Sequence, residues 1–500
     1  MRVPFGTTTR LSVPVAEFIV LYFSCVVKHI AKFSVSDYNR KKKTEMRRRA
    51  LKLESYFNRL KGKKVLVLGL GVSNRPLVRL LLHYGIDVTG CDKTPREKLD
   101  AEVLELERMG AKLHLGEDYL EHIAGDVAFR TPGLHPEKPE LIALRQAGTQ
   151  ITSEMEAFFA VCPCPIIGVT GSDGKTTTTT LISEILKKAG HKVWLGGNIG
   201  TPLLDRTDEM SPEDKVILEL SSFQLMDLHA SCHIAVVTNL APNHLDMHRD
   251  MAEYVDAKKN IFLLQSARDV LIVNHDNVLT EGFAAEAAGT VRRFSRKECV
   301  DGVYLKDETI FRGDTAVLRC EDILIPGVHN IENYMAAIAA VEGMASDEDI
   351  RYVAKHFGGV EHRIELVRIK NGVSYYNDSI ASSPSRTIAG LRSFRQKVIL
   401  IAGGYDKHIP FDVLGPEIAA HVKLLVCTGA TGGKIAAAAR AVEGTPEILE
   451  IDDFYEAIRT ASARAQSGDV VLLSPAGAAF DRFKNYMVRG AEFKKTVMEL

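Results

Sequence analysis

The chain of 500 residues is poor in several residue types, and each scarcity narrows the range of proteins to which it can belong. It contains one tryptophan, and its eight cysteines are scattered, with no repeated Cys-x-x-Cys pattern. That distribution excludes a disulfide framework of the secreted type and indicates reduced, mostly buried thiols in a cytosolic protein. Cys162-Pro-Cys164 lacks a second pair of metal ligands nearby, so we interpret it as a linker between domains.

An excess of charge of either sign is also missing, because 63 Lys and Arg stand against 64 Asp and Glu, for a net charge of −1. Nucleic-acid-binding proteins need a clustered basic surface that neutralises phosphates, so nucleic acid is not an expected partner and a small molecule is. The hydrophobic fraction of 46% supports several buried cores. At this length about three domains are expected.

The apolar stretch near the N-terminus falls short of the roughly 20 residues that a transmembrane helix requires. It spans residues 11–27, is interrupted by Glu17, and is followed by seven basic residues between Arg40 and Arg49. A signal anchor or a membrane-surface segment stays open as an alternative. The preferred interpretation is that residues 1–60 are an N-terminal extension of doubtful status, with Met46 as a candidate start, and that the protein is cytoplasmic with no membrane partner.

A glycine-rich segment follows the apolar stretch 165–167, and it reads Gly-Val-Thr-Gly-Ser-Asp-Gly-Lys-Thr-Thr over residues 168–177. Such a strand-to-helix turn cradles phosphate: the glycines let N–H groups face phosphate oxygens, Lys175 supplies a point charge, and the Thr176 hydroxyl can ligate magnesium. Val169 occupies the position of the first glycine of the common P-loop pattern, which indicates a smaller group of ATP-driven ligases. The residues expected to bind ATP here are Thr170, Gly171, Ser172, Asp173, Gly174, Lys175, Thr176 and Thr177.

Two further loops follow predicted strands in this part of the chain. Glu219 ends the apolar run that begins at Lys215 and is placed to hold magnesium, directly or through water, next to Thr176. The strand that begins at Ile234 leads to His244 and Asp246. Spacing alone leaves that pair undecided between a second metal site and a solvated loop.

The chain begins its regular structure with a strand-turn-helix unit, formed by the strand 65–68, Gly69-Leu-Gly71 and the amphipathic segment 76–83. A second strand ends at Asp92, where an acid can bond a ribose hydroxyl in a dinucleotide fold. Asn74 replaces the third glycine of the dinucleotide fingerprint, which weakens the hypothesis that this loop binds a nicotinamide dinucleotide. The loop remains a suitable pocket for the phosphates of a nucleotide-linked substrate.

The last part of the chain repeats this alternation, with strands at 397–401, 424–427 and 470–473 that each end in small residues before a helical segment. That pattern predicts a doubly wound parallel sheet whose ligand crevice lies at the loops after the strands. We therefore predict an α/β protein of three domains: a Rossmann-like domain over 61–162, a central P-loop ATPase domain over 163–359, and a second Rossmann-like domain over 360–500.

Taken together, the chain resembles the Mur ligase family of bacterial cell-wall synthesis from about residue 64 to residue 500. Within the family, Ser-Ser-Phe-Gln-Leu and Ser-Pro-Ala-x-Ala-x-Phe-Asp are similar to the members that add D-glutamate, and the Asp-Asn-Pro-Arg motif of the diamino-acid-adding members is absent. The segments that carry the resemblance are Thr170 to Thr177, Gly197-Asn-Ile-Gly200, Glu219 to Leu225, Thr238-Asn239, His244-Leu-Asp246, Ala257-Lys258, His329-Asn330 with Asn333, His362-Arg363, Asn377-Asp-Ser379, and Leu473 to Ala476 with Phe480-Asp481.

The resemblance implies a monomeric cytoplasmic enzyme that uses ATP and two Mg²⁺ ions to join D-glutamate to UDP-N-acetylmuramoyl-L-alanine through an acyl phosphate. It implies that the UDP-substrate is bound by Val72, Ser73, Asp92, Lys93, Gly133, Asn198 and Ser221. Further ATP contacts are implied for Asn330, Asn333, Arg363 and Asp378, and D-glutamate contacts for Ser382, Lys407, Ser474, Phe480 and Tyr486.

The same resemblance implies the catalytic residues Lys175, His244 and Lys258, and the metal-binding residues Thr176, Glu219, His244 and Lys258, with Lys258 carbamylated. From the residues alone, Lys258 is instead expected to be a solvated helix lysine. Ile380 and Ala479 stand where many members carry lysine and serine, so the detailed contacts to the D-glutamate carboxylates stay open.

Three alternative functions remain open from the sequence. Another amide ligase, such as a folylpolyglutamate synthetase, shares the phosphate loop but need not begin with a nucleotide-like pocket. A nicotinamide dehydrogenase would use Gly69-Leu-Gly71. A non-catalytic regulator would bind ATP without incorporating an amino acid.

Overall fold

The computed structural model describes residues 52–244 and 247–500. The interpretations of the apolar stretch 11–27, of the basic cluster, of Met46 and of Asp246 therefore lie outside the described residues. Among the helices that are described, none combines the length and the hydropathy needed to cross a bilayer.

The first sheet has five parallel strands in the order β3-β2-β1-β4-β5. Its central strand is buried from Val65 to Leu68, as expected for a strand covered on both faces. Its strands are β1 (Lys64–Leu68), β2 (Asp87–Asp92), β3 (Lys112–Leu115), β4 (Val127–Arg130) and β5 (Gln150–Thr152). The helices of this part are α1 (Leu53–Asn58), α2 (Asn74–His83), α3 (Ala101–Arg108), α4 (Pro139–Gln146) and α5 (Glu154–Val161).

The second sheet has nine strands in the order β14-β13-β12-β11-β10-β9-β6-β8-β7. They are β6 (Ile166–Thr170), β7 (Val193–Gly197), β8 (Lys215–Glu219), β9 (Ile234–Val237), β10 (Val270–Asn274), β11 (Thr290–Ser295), β12 (Gly302–Lys306), β13 (Thr309–Arg312) and β14 (Thr315–Arg319). Its helices are α6 (Lys175–Lys188), α7 (Ser222–Leu225), α8 (Met251–Lys259), α9 (Val278–Gly282), α10 (Val328–Ala340) and α11 (Asp347–His356). Strands β12 to β14 are antiparallel, an extension that the strand-helix alternation did not predict. Asp307 and Glu308 join β12 to β13 with φ of 47° and 55°, the left-handed values of a two-residue hairpin turn.

The third sheet has six strands in the order β15-β16-β20-β17-β18-β19. The strands are β15 (Glu365–Lys370), β16 (Val373–Asn377), β17 (Val398–Ala402), β18 (Val422–Cys427), β19 (Glu447–Glu450) and β20 (Val470–Leu473). The helices are α12 (Pro384–Leu391), α13 (Leu414–His421), α14 (Gly432–Arg440), α15 (Phe454–Arg464) and α16 (Tyr486–Glu499). All pairs are parallel except β15 with β16, so the prediction of a wholly parallel sheet is wrong at this edge. The reason is the turn at Asn371-Gly372, whose φ values of 51° and 77° close a tight hairpin.

The three sheets make the chain a mixed α/β protein with mainly parallel strands, which confirms the predicted class at that level. A buried arginine joins the first sheet to the second. Arg130, 1% exposed at the end of β4, pairs with Asp227 and donates to the carbonyls of Leu134 at 2.6 Å and Phe223 at 3.2 Å. Because this contact is buried and charge-assisted, it fixes the loop after β4 against the segment after β8.

Candidate active site

The phosphate loop lies between β6 and α6 and has no room for side chains at two of its glycines. Gly171 and Gly174 have φ of 146° and 77°. A Cβ atom on Gly171 would lie 2.0 Å from the Thr238 hydroxyl oxygen, and one on Gly174 would lie 2.3 Å from the Asn333 amide oxygen. The loop therefore requires glycine at both positions, and it places the N-terminus of a 14-residue helix at the anion site.

Lys175 is the first residue of α6, and its ammonium group folds back over the loop. Nζ donates to the carbonyl oxygens of Gly171 at 2.9 Å and Ser172 at 2.8 Å, which leaves a further N–H for a phosphate oxygen. Burial lowers the pKa of Lys175, while the carboxylates of Glu219 and Asp173 act in the opposite direction. The group is thus a positive charge held at the mouth of the loop.

Glu219 ends β8 beside the phosphate loop and is 2% exposed. Its Oε1 accepts a hydrogen bond of 2.8 Å from the side-chain amide of Asn198, whereas Oε2 is buried without a partner among the described residues. A buried carboxylate oxygen without a donor is costly, and a cation relieves that cost. Glu219 thus fits a magnesium ligand, and Asn198, predicted to contact the UDP-substrate, orients it.

Within residues 52–244 and 247–500, no three His, Cys, Asp or Glu side chains come together to hold a metal ion. Magnesium is commonly held by one or two carboxylates together with substrate phosphates, so one carboxylate beside a phosphate loop is sufficient.

Lys258 lies on α8 and is 1% exposed, so the expectation of a solvated helix lysine is wrong. Its Nζ donates to the Thr170 hydroxyl at 3.1 Å and to the Gly171 carbonyl at 2.9 Å, and it lies 4.7 Å from the centre of the Tyr254 ring. Burial, reinforced by the charge of Lys175, holds the pKa of Lys258 well below its usual range. The helix turns this lysine toward β6, which its sequence neighbourhood does not reveal.

An aromatic stack connects His244 to the core of the site. The His244 ring meets the edge of Phe223 at 5.3 Å between centroids, and Phe223 stacks on His248 at 5.1 Å. His248 is buried, and its Nε2 lies 2.8 Å from the Ser222 hydroxyl. The alternative of a solvated loop is therefore wrong for His248, the second histidine of this loop, because its ring is buried against Phe223.

Two asparagines on α10 lie beside the phosphate loop and are both buried. Asn333 accepts a hydrogen bond of 3.2 Å from Thr178 on α6 and donates to Asn330 at 2.9 Å. Asn330 in turn donates to the carbonyl of Pro326 at 2.6 Å. The chain of amides brings the two predicted nucleotide contacts next to Gly174.

Asp378 follows β16 and is buried with two donors around it. The Ser474 hydroxyl donates to it at 2.8 Å and the backbone N–H of Ile364 at 3.3 Å. Burial raises the pKa of Asp378 to about 7. The positive charge of the exposed Arg363 lowers the pKa of both Asp378 and Lys175. Arg363 therefore acts on the third sheet and on the phosphate loop.

The residues predicted for D-glutamate lie at the same edge of the third sheet. Lys407 donates to the Ser382 hydroxyl at 3.4 Å, which brings these two together. Phe480 is 64% exposed, and its ring lies 6.0 Å from that of Tyr405. The hydroxyl of Ser474 is committed to Asp378, so its side chain supports the crevice rather than facing it. Tyr486 begins α16, and its carbonyl accepts a hydrogen bond from Ser379.

Around the glycine loop of the first sheet, the side chains mostly serve the loop itself. Asp92 accepts from the N–H groups of Leu70 at 2.7 Å and Thr94 at 2.9 Å, and Asn74 donates to the carbonyl of Gly69 at 2.7 Å. Asn74 thus closes the turn where a dinucleotide fold has glycine. Three more residues predicted to contact the UDP-substrate are exposed here: Val72, at 72%, Lys93 and Gly133. Ser73 directly precedes α2, and Ser221, predicted for the same substrate, caps α7.

A small cavity between the first two sheets contains Glu154, which is 8% exposed and faces it with Ser73, Arg130 and Gln224. Burial raises the pKa of Glu154 to about 8, with a further contribution from Asp205. Because the folded protein favours the protonated form, this group should not weaken the fold below pH 4.5. Its destabilising effect should grow up to about pH 8 and stay constant above that value.

We therefore expect Glu154→Gln to stabilise the protein on the order of 3 kcal/mol at pH 9 and to have little effect at pH 4. Thermal melting of both proteins across this range measures the difference. Glu156→Gln is the control, since this side chain lies on the same helix and contacts His229. An equal effect of Glu154→Gln at both pH values would contradict the expectation.

Comparison with known proteins places these features in one family. Residues 169–341 match the Mur ligase middle domain, and residues 362–477 match the Mur ligase glutamate ligase domain. A protein of Acetivibrio thermocellus named UDP-N-acetylmuramoylalanine–D-glutamate ligase is 53% identical over 458 residues, which cover 89% of this chain and 98% of the relative. A protein of the same name from Clostridium botulinum is 50% identical over 444 residues, 88% of this chain and 97% of the relative.

Solved structures share the fold. UDP-N-acetylmuramate-alanine ligase of Thermotoga maritima aligns with a TM-score of 0.52 over 87% of this chain and 99% of its own, at 17% identity. The structure of UDP-N-acetylmuramoyl-L-alanyl-D-glutamate–2,6-diaminopimelate ligase aligns with a TM-score of 0.53 over 83% and 93%, also at 17% identity. At this identity the likeness concerns the fold alone.

Proposed function

The chain belongs to the Mur ligase family, and we propose that it joins D-glutamate to UDP-N-acetylmuramoyl-L-alanine with cleavage of ATP, as a step of peptidoglycan synthesis. The observation that carries the proposal is the phosphate loop, where Lys175, Glu219 and Lys258 converge within a chain whose relatives of that name match along almost their whole length. A phosphate cradle with a positive charge, and with a buried carboxylate whose Oε2 has no donor among the described residues, is suited to phosphoryl transfer.

We assign one substrate to each part of the chain. The Rossmann-like domain 61–162 takes the UDP-substrate, the P-loop domain 163–359 takes ATP, and the Rossmann-like domain 360–500 takes D-glutamate. The carboxyl ends of the parallel strands in each sheet support this assignment, because ligands of such sheets bind there. We further propose that the enzyme works in the cytoplasm as a monomer.

The reaction needs an activated carboxylate, because a carboxylate is a poor electrophile until one of its oxygens becomes a leaving group. The alanine carboxylate takes the γ-phosphoryl group of ATP and ADP leaves. The neutral amine of D-glutamate then attacks the carbonyl carbon, loses a proton, and phosphate leaves as the amide forms. Lys175 and the N–H groups at the start of α6 offset the charge on the transferred group, and His244 positions the acyl phosphate.

Magnesium, when bound, would neutralise negative charge on the phosphate oxygens. The partnerless Oε2 of Glu219 and the Thr176 hydroxyl fit one ion, and His244 with Lys258 would hold the second. A lysine can serve there only in a changed form, since an ammonium repels a cation.

We propose that Lys258 reacts with carbon dioxide to give a carbamate. The burial that lowers its pKa favours the neutral amine, which attacks the carbon of CO₂ and releases a proton. Wild-type protein in ¹³C-bicarbonate should therefore show an enriched carbamate signal by NMR that Lys258→Met lacks. The same signal in Lys258→Met, or none in wild type with magnesium and ATP present, would contradict the modification.

Phosphate release tests the overall function. With ATP, magnesium and UDP-N-acetylmuramoyl-L-alanine, release should depend on D-glutamate and not occur with L-glutamate or without an amine. Release with a different amino acid would indicate another amide ligase. No release with any amine would favour the non-catalytic nucleotide binder, and NADH turnover measured by absorbance would favour the dehydrogenase.

A further inference from the structure

Arg489 is a buried cation at the amino-acid end of the third sheet. It lies in the first turns of α16, is 2% exposed, and faces the loops after three adjacent parallel strands, β16, β20 and β17. Such loops form the ligand crevice of a parallel sheet. An arginine in this position can hold the crevice together from beneath.

The guanidinium group makes four hydrogen bonds to these loops. Nε donates to the Ser379 hydroxyl at 3.0 Å, and Nη2 donates to the Ser379 carbonyl at 2.9 Å and the Gly477 carbonyl at 3.1 Å. Nη1 donates to the Ala478 carbonyl at 2.9 Å. The bonds tie the loop after β16 to the loop after β20 through one rigid, planar group.

The loop after β17 is drawn into the same arrangement. The Ala478 carbonyl that accepts from Arg489 also accepts from the backbone N–H of Tyr405 at 2.8 Å. A Cβ atom on Gly404 would lie 2.8 Å from Nη1 of Arg489 and 2.2 Å from that carbonyl oxygen. Glycine at position 404 therefore lets the segment that carries Lys407 approach the arginine closely.

All four hydrogen-bond acceptors are neutral. Among the described residues no carboxylate forms an ion pair with Arg489, and Asp481 acts on it only from a greater distance. A buried charge without a counter-ion is costly, so its retention calls for a compensating role. A positive charge under a crevice that takes an amino acid with two carboxylates has such a role, because it favours the anionic ligand.

We propose that Arg489 is the positioning residue for the amino-acid substrate: it fixes the loops after β16, β17 and β20 and supplies positive charge toward a dicarboxylic amino acid. This inference rests on the proposed ligase function. It also explains how the crevice can attract carboxylates although Ile380 and Ala479 stand where many family members carry lysine and serine. The positive charge comes instead from Arg489, beneath the loops.

The test compares Arg489→Lys, which keeps the charge and loses the planar fork, with Arg489→Met, which loses both. We expect Arg489→Lys to raise KM for D-glutamate by about tenfold or more and to leave KM for ATP within about twofold. Arg489→Met should raise KM for D-glutamate further. Phosphate-release kinetics at varied D-glutamate and varied ATP measure both constants.

Arg368→Lys is the matched control. Arg368 donates to the carbonyls of Val497 at 3.1 Å and Met498 at 2.9 Å, at the other end of the same helix. Its substitution should leave both KM values within about twofold. A rise in KM for D-glutamate that occurs only in the Arg489 variants therefore reports on the crevice and not on general loosening of α16. Thermal melting of each variant checks that the fold persists.

Unchanged KM for D-glutamate in a folded Arg489→Lys enzyme would overturn the inference, as would an equal rise of all KM values. If neither Arg489 variant folds, Ser379→Ala takes its place, since it removes one acceptor of the guanidinium. A rise of about threefold in KM for D-glutamate alone is then expected, and no change would refute the role. A wild type without D-glutamate-dependent release would instead refute the proposed function and this inference with it.

Discussion

The Lys175→Ala enzyme is expected to turn over at least about 10²-fold more slowly than wild type. Lys175 holds the ammonium group at the phosphate loop through the carbonyls of Gly171 and Ser172, so no rearrangement is needed when phosphate arrives. A preorganised charge of this kind acts most strongly on the charge that builds up during phosphoryl transfer. The loss should therefore appear in kcat for phosphate release.

Lys187→Ala provides the control, because Lys187 is 48% exposed on the same helix and pairs with Glu184. It should turn over within about twofold of wild type, since exposed ion pairs contribute little. Thermal melting should show both variants folded. A Lys175→Ala enzyme that keeps more than about a tenth of wild-type turnover would show that the loop binds phosphate without this charge.

The phosphate loop was predictable from sequence because its determinants are local. Glycine at positions 171 and 174 reflects positive φ together with a steric limit, and the helix that follows begins at the predicted Lys175. Strands with buried apolar runs, such as 65–68 and 470–473, were predictable for a similar reason, since strand length and residue type carry that signal.

The remaining features depend on contacts that are distant along the chain. Lys258 is buried because its ammonium group reaches the Thr170 hydroxyl and the Gly171 carbonyl. It lies at helical spacing from the buried Tyr254, but a lysine at such a position ordinarily extends its ammonium group into solvent. Arg489 similarly makes two of its four hydrogen bonds to Ser379, which lies 110 residues away along the chain. The edge strand β15 was predictable from sequence, because Asn371-Gly372 is a typical two-residue hairpin turn. The prediction of a strand-helix alternation did not take this turn into account.

Substitution of Glu219 by glutamine should have the second large effect, a loss of about 10²-fold in turnover and a rise of about tenfold or more in the magnesium concentration for half activity. Glutamine preserves the shape and the oxygen that accepts from Asn198, so the variant removes mainly the negative charge. Magnesium prefers carboxylate oxygens, and an amide is a weaker ligand.

The same substitution should move stability in the opposite direction. In the absence of nucleotide and magnesium, the Oε2 of Glu219 is buried with no hydrogen-bond donor from residues 52–244 or 247–500, and Glu219→Gln removes that charged group. We expect the variant to be more stable by about 1–3 kcal/mol in metal-free thermal or denaturant unfolding. Glu184 is 41% exposed on α6, so Glu184→Gln makes the same charge change at the surface. This control should alter neither the stability nor the magnesium requirement.

The combination separates a metal ligand from a structural carboxylate. A structural role predicts lower stability and an unchanged magnesium requirement, because the lost charge would have been satisfied within the protein. If Glu219 is a metal ligand, the variant should be more stable without metal and should need more magnesium for turnover. Added magnesium should also stabilise the variant less than wild type, because an ion stabilises a folded protein more when it binds more tightly. An unchanged magnesium titration in Glu219→Gln would therefore remove Glu219 from the metal site, even if turnover fell.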